Sequence, residues 1–354
     1  MDAGGTSAIS KTKYENHFLR ILSAVLIMFV VYIHYSPTID AGDYNLVDLI
    51  HSIGRFAMPI FFLISGYFMF SEDGHVEKKI GSKAKHIFLL ILYLKFFYLA
   101  LDLLLFAFGY IGGENILFNF LVIGDSTAHY WFVASLLTVY IGHWYFQRKN
   151  IDFKYLIPLG IVFLAIDVII GEFFPLFGID QFFGMRTGDI AAGTYVFIGL
   201  FFFQAGYYMH KHKEWIDERF PTWKLAVIAL FGLLLNIAEM FLILDTKIYE
   251  GTASVGPNIY IGTIILSLSL FMLTFRLKDD QLRCRPIEWL GRECSYWMYI
   301  YIGAGICLIQ EVFLRDMADD FMMYDVAGPF IAIAIDVILA LATYLLVKRL
   351  KSRS

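Results

Sequence analysis

Arg55 opens the run RFAMPIFFLISGYFMF at positions 55–70, which is apolar enough to lie in a membrane. A guanidinium at the edge of a bilayer is costly unless it finds a partner, water or a ligand. Histidine, the usual general base near neutral pH, occurs at His51, just before Arg55, and at His34 and His129 at the ends of other apolar runs. His129 is followed by Tyr130, Trp131 and Phe132. Arg20 and His34 are separated by 14 residues, just under four helical turns, and so share nearly one face. Along a helix axis that separation is ~21 Å, so the two cannot touch, yet one elongated ligand could reach both. Each residue also has a structural reading. Arg20 could be a snorkelling topology anchor, His34 an interfacial residue, and His129 with Trp131 part of an aromatic belt. Arg55 is harder to explain that way, because it lies where positive charge is otherwise avoided.

The elements that must position these residues are membrane helices. The chain has 354 residues, 59% hydrophobic and 17% charged, against ~45–50% and ~25% in soluble domains. Its mean hydropathy is +0.65. A spanning helix needs about 20 mostly apolar residues, and candidates fall at 18–36, 51–71, 87–110, 128–146, 155–172, 191–210, 224–244, 258–276, 293–314 and 327–347. A β-barrel would instead show weak alternating segments. The expected fold is therefore all-α: a polytopic transmembrane bundle of about ten helices. Residues 1–13 read as a disordered tail and 14–354 as a single membrane domain. No small-residue cleavage site follows the first apolar run, which reads as a span and not as a removed signal peptide.

Lysine and arginine orient the bundle. The N-terminal end, every second loop and the C-terminal tail together hold 23 basic residues, and the alternate loops hold 3. Ten spans with both termini cytoplasmic account for this asymmetry. The orientation brings His34, His51, Arg55, His129 and Trp131 to the outer leaflet and leaves Arg20 near the cytoplasm.

Other polar residues inside the spans each need a reason. Lys95 and Asp102 share a face of the third span, two turns apart, and suit structural pairing or an internal network. Asp167 and Asp336 read as structural. Glu239 follows Asn236 by three residues and could form a small polar face, while Gln310 and Glu311 near an outer helix end could meet a sugar. The basic stretch 276–292 could receive phosphates, though topology alone would also put charge there. Three scattered cysteines, Cys284, Cys294 and Cys307, argue against a disulfide framework or a metal cluster. No P-loop, EF-hand, CxxC or HExxH pattern occurs, so no metal or nucleotide chemistry is expected. The net charge of −4 gives no reason to expect nucleic acid.

Several of these motifs together resemble the acyltransferase-3 family of integral membrane O-acyltransferases. Members carry an Arg and a His in the first helix. They also carry a second helix of the form R-x-x-x-P-x-F-F-x-I-S-G-Y, a later helix opening H-x-W-F, and a late Ser-x-x-x-Tyr. The matching residues are Arg20 and His34, positions 55–67, His129 to Phe132, and Ser295 with Tyr299. Two features depart from the pattern. The Arg–His gap is 14 residues where 11 is usual, and the late helix continues Tyr299-Ile300-Tyr301-Ile302 where many members have a histidine.

The resemblance implies transfer of an acyl group, commonly acetyl, from cytoplasmic acyl-CoA to a hydroxyl of an envelope glycan or lipid-linked sugar, in the plasma membrane among its lipids. In that reading His34 is the base or acyl relay. Arg20 attracts the acetyl-CoA phosphates, and Arg55 or His129 stabilises the oxyanion or orients the acceptor. Tyr130, Trp131, Glu239 and Glu311 contact the sugar. Two rival readings share the composition: a flippase for a lipid-linked sugar, and a non-catalytic family member, which the missing late histidine favours.

Overall fold

The computed structural model describes residues 17–35, 46–70, 76–113, 116–121, 129–179, 181–182, 185–244, 259–276, 284–317 and 322–352. The predicted tail 1–13 lies outside them. Six helical stretches among the described residues are long and apolar enough to cross a membrane. They are His17–Tyr35, Asp48–Tyr67, Ile80–Ala107, Thr222–Ile243, Ser295–Phe313 and Met322–Lys351, with Ile261–Thr274 as a shorter apolar helix. Each of the ten predicted spans coincides with a helical segment, and the molecule is an all-helical polytopic bundle.

In chain order the helices are α1 (His17–Tyr35), α2 (Leu46–Gly54), α3 (Ala57–Tyr67), α4 (Val76–Ala107), the short α5 (Ile116–Leu121), α6 (Trp131–Arg148) and α7 (Leu156–Val168). A π-helical turn at Ile169–Phe173 leads into the single turn α8 (Phe174–Leu176). A two-residue antiparallel ladder follows, β1 (Gln181–Phe182) against β2 (Met185–Arg186), with Gln181 opposite Arg186. Then come α9 (Thr187–Lys211), α10 (Lys213–Arg219), α11 (Thr222–Leu244), α12 (Ile261–Thr274), α13 (Arg285–Glu293), α14 (Ser295–Cys307) and α15 (Gly328–Lys351).

The second predicted span is two helices, α2 and α3, because Pro59 cannot donate to the Arg55 carbonyl and its ring crowds it. The backbone at the joint tightens, with the Arg55 and Phe56 amides reaching back only three residues, to Ser52 and Ile53. Three predicted cytoplasmic loops also contain helix, one of them α10 between the sixth and seventh predicted spans. α4 starts at Val76, eleven residues before the predicted span, and the basic stretch 276–292 contains α13. α13 packs along α1 so closely that a Cβ on Gly291 would collide with the Arg20 carbonyl.

α1 is the hub: α2, α3, α13, α14 and α15 all pack on it. A second group forms as α9 receives α3, α6 and α7, and α11 pairs with α12. Glycines permit the closest crossings. A Cβ on Gly66 of α3 would strike the Phe203 carbonyl of α9, and one on Gly206 of α9 would strike the Leu63 carbonyl of α3. Leu26, Ile27, Ile60, Phe62, Phe202 and Phe271 are fully buried between these helices. The outward faces of α4, α11 and α15 expose Phe88, Phe96, Leu104, Leu230, Phe231, Ile338 and Leu346. In water such a surface would be unstable, and in a bilayer it meets lipid.

Candidate active site

The break between α2 and α3 leaves Arg55 on a turn at the edge of the α1 hub. Its guanidinium lies over the Tyr260 ring, 5.6 Å from the centroid. Tyr260 precedes α12, whose second amide, that of Gly262, donates to Glu239 at 2.8 Å. Glu239 therefore sits as a cap on the first turn of α12, where a carboxylate also complements the helix dipole. A buried relay ties the same three helices together. Ser52 donates to Asn236 at 2.9 Å, and Asn236 donates to Thr263 at 2.6 Å.

His34, at the end of α1, meets His129 at the start of α6, with ring centroids 6.2 Å apart and planes inclined by 71°. His129 is buried at 2% exposure, and the Nε2 atoms of both histidines lack a hydrogen-bond partner. Aromatic rings box His129 in. Tyr98 of α4 and Tyr299 of α14 each lie 5.5 Å away, centroid to centroid. The Tyr299 hydroxyl donates to the His129 carbonyl at 2.8 Å. That bond gives the Ser-x-x-x-Tyr match a physical role: its tyrosine pins the histidine-bearing turn. Its serine closes a local bond to the Gly291 carbonyl at 2.7 Å. The Tyr98 hydroxyl in turn donates to the Ile300 carbonyl and accepts from the Ala304 amide, both at 3.0 Å, clamping α4 to α14.

The second- and fourth-span motifs meet in space. Phe62 of α3 packs on Phe132 at 4.6 Å and on Trp131 at 6.3 Å. Tyr130 points the other way, buried against Tyr98 at 5.6 Å with Lys95 over its ring. Asp102, also on α4, is buried and acts electrostatically on Tyr130 and Cys307. Lys95 and Asp102 thus belong to one network with Tyr130.

Arg20 stays at the opposite end of α1, beside α13, where His17 and Glu288 pair at 2.7 Å. It does not join the histidines, as the helical rise requires. Glu311 lies on a π-helical turn, Leu308–Phe313, within electrostatic reach of Tyr324. The neighbouring Gln310 donates to the Tyr35 carbonyl at 2.9 Å, so this turn closes over the end of α1 next to His34. Asp336 of α15 is fully buried against Gly305, and neither carboxyl oxygen has a hydrogen-bond partner. Asp167 is buried on α7. Arg276 bonds the carbonyls of Ile216, Asp217 and Phe220, at 2.6–3.0 Å, and so caps α10. Most of the loop that follows, 277–283, lies outside the described residues.

One member of the cluster is absent from the sequence motifs. His51 is 5% exposed, donates to the Ile33 carbonyl, and lies within electrostatic reach of His34 and Arg55. Its signal was available in the spacing, since Asp48, His51 and Arg55 recur at helical intervals. Three imidazoles and a guanidinium, drawn from α1, α2, the turn before α6 and the α2–α3 turn, thus converge at one end of the bundle. Such a set can hold an anion, move a proton, or do both in turn. Among the described residues no group of three His, Cys, Asp or Glu could hold a metal ion.

Comparison with known families gives one match: the acyltransferase domain model of that family covers residues 16–347. No curated protein and no solved structure matches the chain. The match runs through every helix that contributes to the histidine cluster, and the chain belongs to the acyltransferase-3 family of multi-pass membrane proteins.

Proposed function

We propose that the protein transfers an acetyl group from cytoplasmic acetyl-CoA to a hydroxyl of a cell-envelope carbohydrate or lipid-linked sugar, from within the plasma membrane. The observation that carries this reading is the meeting of His34 with the buried His129, ring to ring and with Nε2 atoms that have no hydrogen-bond partner, while His51 lies within electrostatic reach of both His34 and Arg55. Attack of a hydroxyl on a thioester needs a base for the hydroxyl proton and a donor for the developing oxyanion. His34 serves as base or acyl relay, and Arg55 or His129 stabilises the oxyanion. Arg20 receives the phosphates of acetyl-CoA at the cytoplasmic mouth, with the pantetheine arm extended along α1 toward His34. Trp131, seated on Phe62, and Glu311, on the turn over α1, are the sugar contacts closest to this centre. Tyr130 and Glu239 contribute from behind it, through the Lys95–Asp102 network and the α12 cap.

Labelled acetyl-CoA supplied to membranes holding the wild-type protein is expected to give base-labile label in the envelope glycan. His34→Ala at equal expression is expected to lower that labelling by ~10²–10⁴-fold, the usual range for a lost general base. Equal labelling by both proteins would move the catalytic role away from His34, and labelling by neither would remove the acetyltransferase reading.

A further inference from the structure

We propose that His51 is the general base that takes the proton from the acceptor hydroxyl. The proposal rests on the acyl-transfer reading above, gives the base role to a group that the family motifs leave out, and of the two roles open to His34 leaves it that of acyl relay. His51 lies in the last turn of α2, four residues before Arg55, and its ring is buried. One ring nitrogen donates to the Ile33 carbonyl at the end of α1. That bond fixes the tautomer of the neutral ring, because a nitrogen that donates to a carbonyl must carry the hydrogen. The other nitrogen, Nδ1, is then a lone-pair acceptor. It is buried and has no hydrogen-bond partner. A buried acceptor without a donor costs free energy, and a substrate hydroxyl would supply the missing donor.

The groups around His51 suit this task. His34 of α1 and Arg55 on the following turn act on His51 electrostatically, and the next residue, Ser52, ties α2 to Asn236 of α11. His129 lies beyond His34. The Nε2 atom of His34 has no hydrogen-bond partner, whereas the His51 ring is anchored on the Ile33 carbonyl. His51 also sits on the side from which an envelope sugar would enter, while the thioester approaches along α1.

In the step assigned here, the acceptor oxygen attacks the thioester carbonyl carbon as its proton passes to His51 Nδ1. The carbon–oxygen bond forms and the carbonyl electrons move to an oxyanion beside Arg55. Collapse breaks the carbon–sulfur bond, and the proton held on His51 is returned to the departing CoA thiolate. The products are the ester and the free thiol. If His34 first carries the acyl group, His51 does the same work on the acyl-imidazole, and the bond broken is carbon–nitrogen.

The test uses the full chain in native membrane vesicles with labelled acetyl-CoA and the membranes' own glycan as acceptor. It compares wild type, His51→Ala and His51→Asn across pH, with acetyl-CoA binding measured in parallel. Wild-type transfer is expected to rise with pH as the ring loses its proton. Both variants are expected to lose at least ~10²-fold in transfer rate while binding acetyl-CoA as the wild type does. Added imidazole is expected to restore part of the activity of His51→Ala. His51→Asn retaining activity within a few-fold would overturn the assignment, since an amide can hold a hydroxyl but takes no proton. Loss of donor binding in both variants, or failure of imidazole to rescue, would overturn it equally. A wild type that transfers no label would overturn the acetyltransferase reading and this assignment with it, an outcome distinct from an active wild type with indifferent variants.

Discussion

His34 and His129 come from spans separated by nearly a hundred residues, and each is held by something other than its own helix. His129 is pinned through its carbonyl by the Tyr299 hydroxyl. His34 precedes Tyr35, whose carbonyl is held by Gln310. Glu239 has a structural partner at this scale. Read alone, a carboxylate in an apolar span suggests a substrate contact. In the fold it accepts from the Gly262 amide and caps α12. Replacing Glu239 with Ala is expected to cost roughly 0.5–2 kcal/mol of stability, the range for a lost cap. Thermal unfolding in detergent measures that loss. The KM for the acceptor is expected to stay within about twofold of wild type, and a large rise in KM would return Glu239 to the binding site.

At the scale of the element, the α2–α3 joint decides where Arg55 sits. Pro59 removes one backbone bond, the chain takes two short reach-back bonds, and the arginine falls on the turn over Tyr260. The following ISGY stretch works by contact. Gly66 and Gly206 let α3 and α9 approach until each glycine faces a carbonyl of the other helix. In lipid, with no hydrophobic force between helices, such close packing carries much of the association. A Gly66→Ala change must push the Phe203 backbone away. It is expected to destabilise the protein by ~1–3 kcal/mol or more, as overpacking does, seen as a lower unfolding midpoint and an earlier loss of monodisperse elution. An unchanged midpoint would show that α9 shifts without cost.

Across the whole molecule, the basic residues set an orientation and the helix ends follow from it. Cys284 is exposed just before α13, in the stretch assigned to the cytoplasm. In sealed right-side-out vesicles an impermeant thiol reagent is expected to miss Cys284 and to label it after permeabilisation. Labelling in intact vesicles would invert the bundle and exchange the donor and acceptor sides. Cys294 is buried and serves as the internal control. α13 also shows how the cytoplasmic side is built. The helix lies along the start of α1 through Gly291 and the His17–Glu288 pair, so the Arg20 end of α1 is walled by a helix and not by an open loop.

Much of this was legible in the sequence, because membrane insertion is decided by local properties. Twenty-residue apolar runs, the lysine and arginine asymmetry and the RFAMPIFFLISGY stretch are each visible without contacts, and they settle the helices. The convergence of His34, Arg55 and His129 at one end followed from span direction alone. Other features needed the tertiary structure. Nothing in the spacing of Tyr98, Tyr299 and His129 says that two hydroxyls clamp α4, α6 and α14 together, because side-chain partners lie far apart in the chain. The split of one span into α2 and α3 was marked by Pro59, but where Arg55 then points depends on Tyr260. The contact of His51 with the Ile33 carbonyl of α1 is likewise invisible in the sequence. Burial in lipid makes each span a helix whatever its neighbours do. Which polar group meets which is decided by how the helices rotate and cross, and that depends on small residues and aromatic packing summed over the whole bundle.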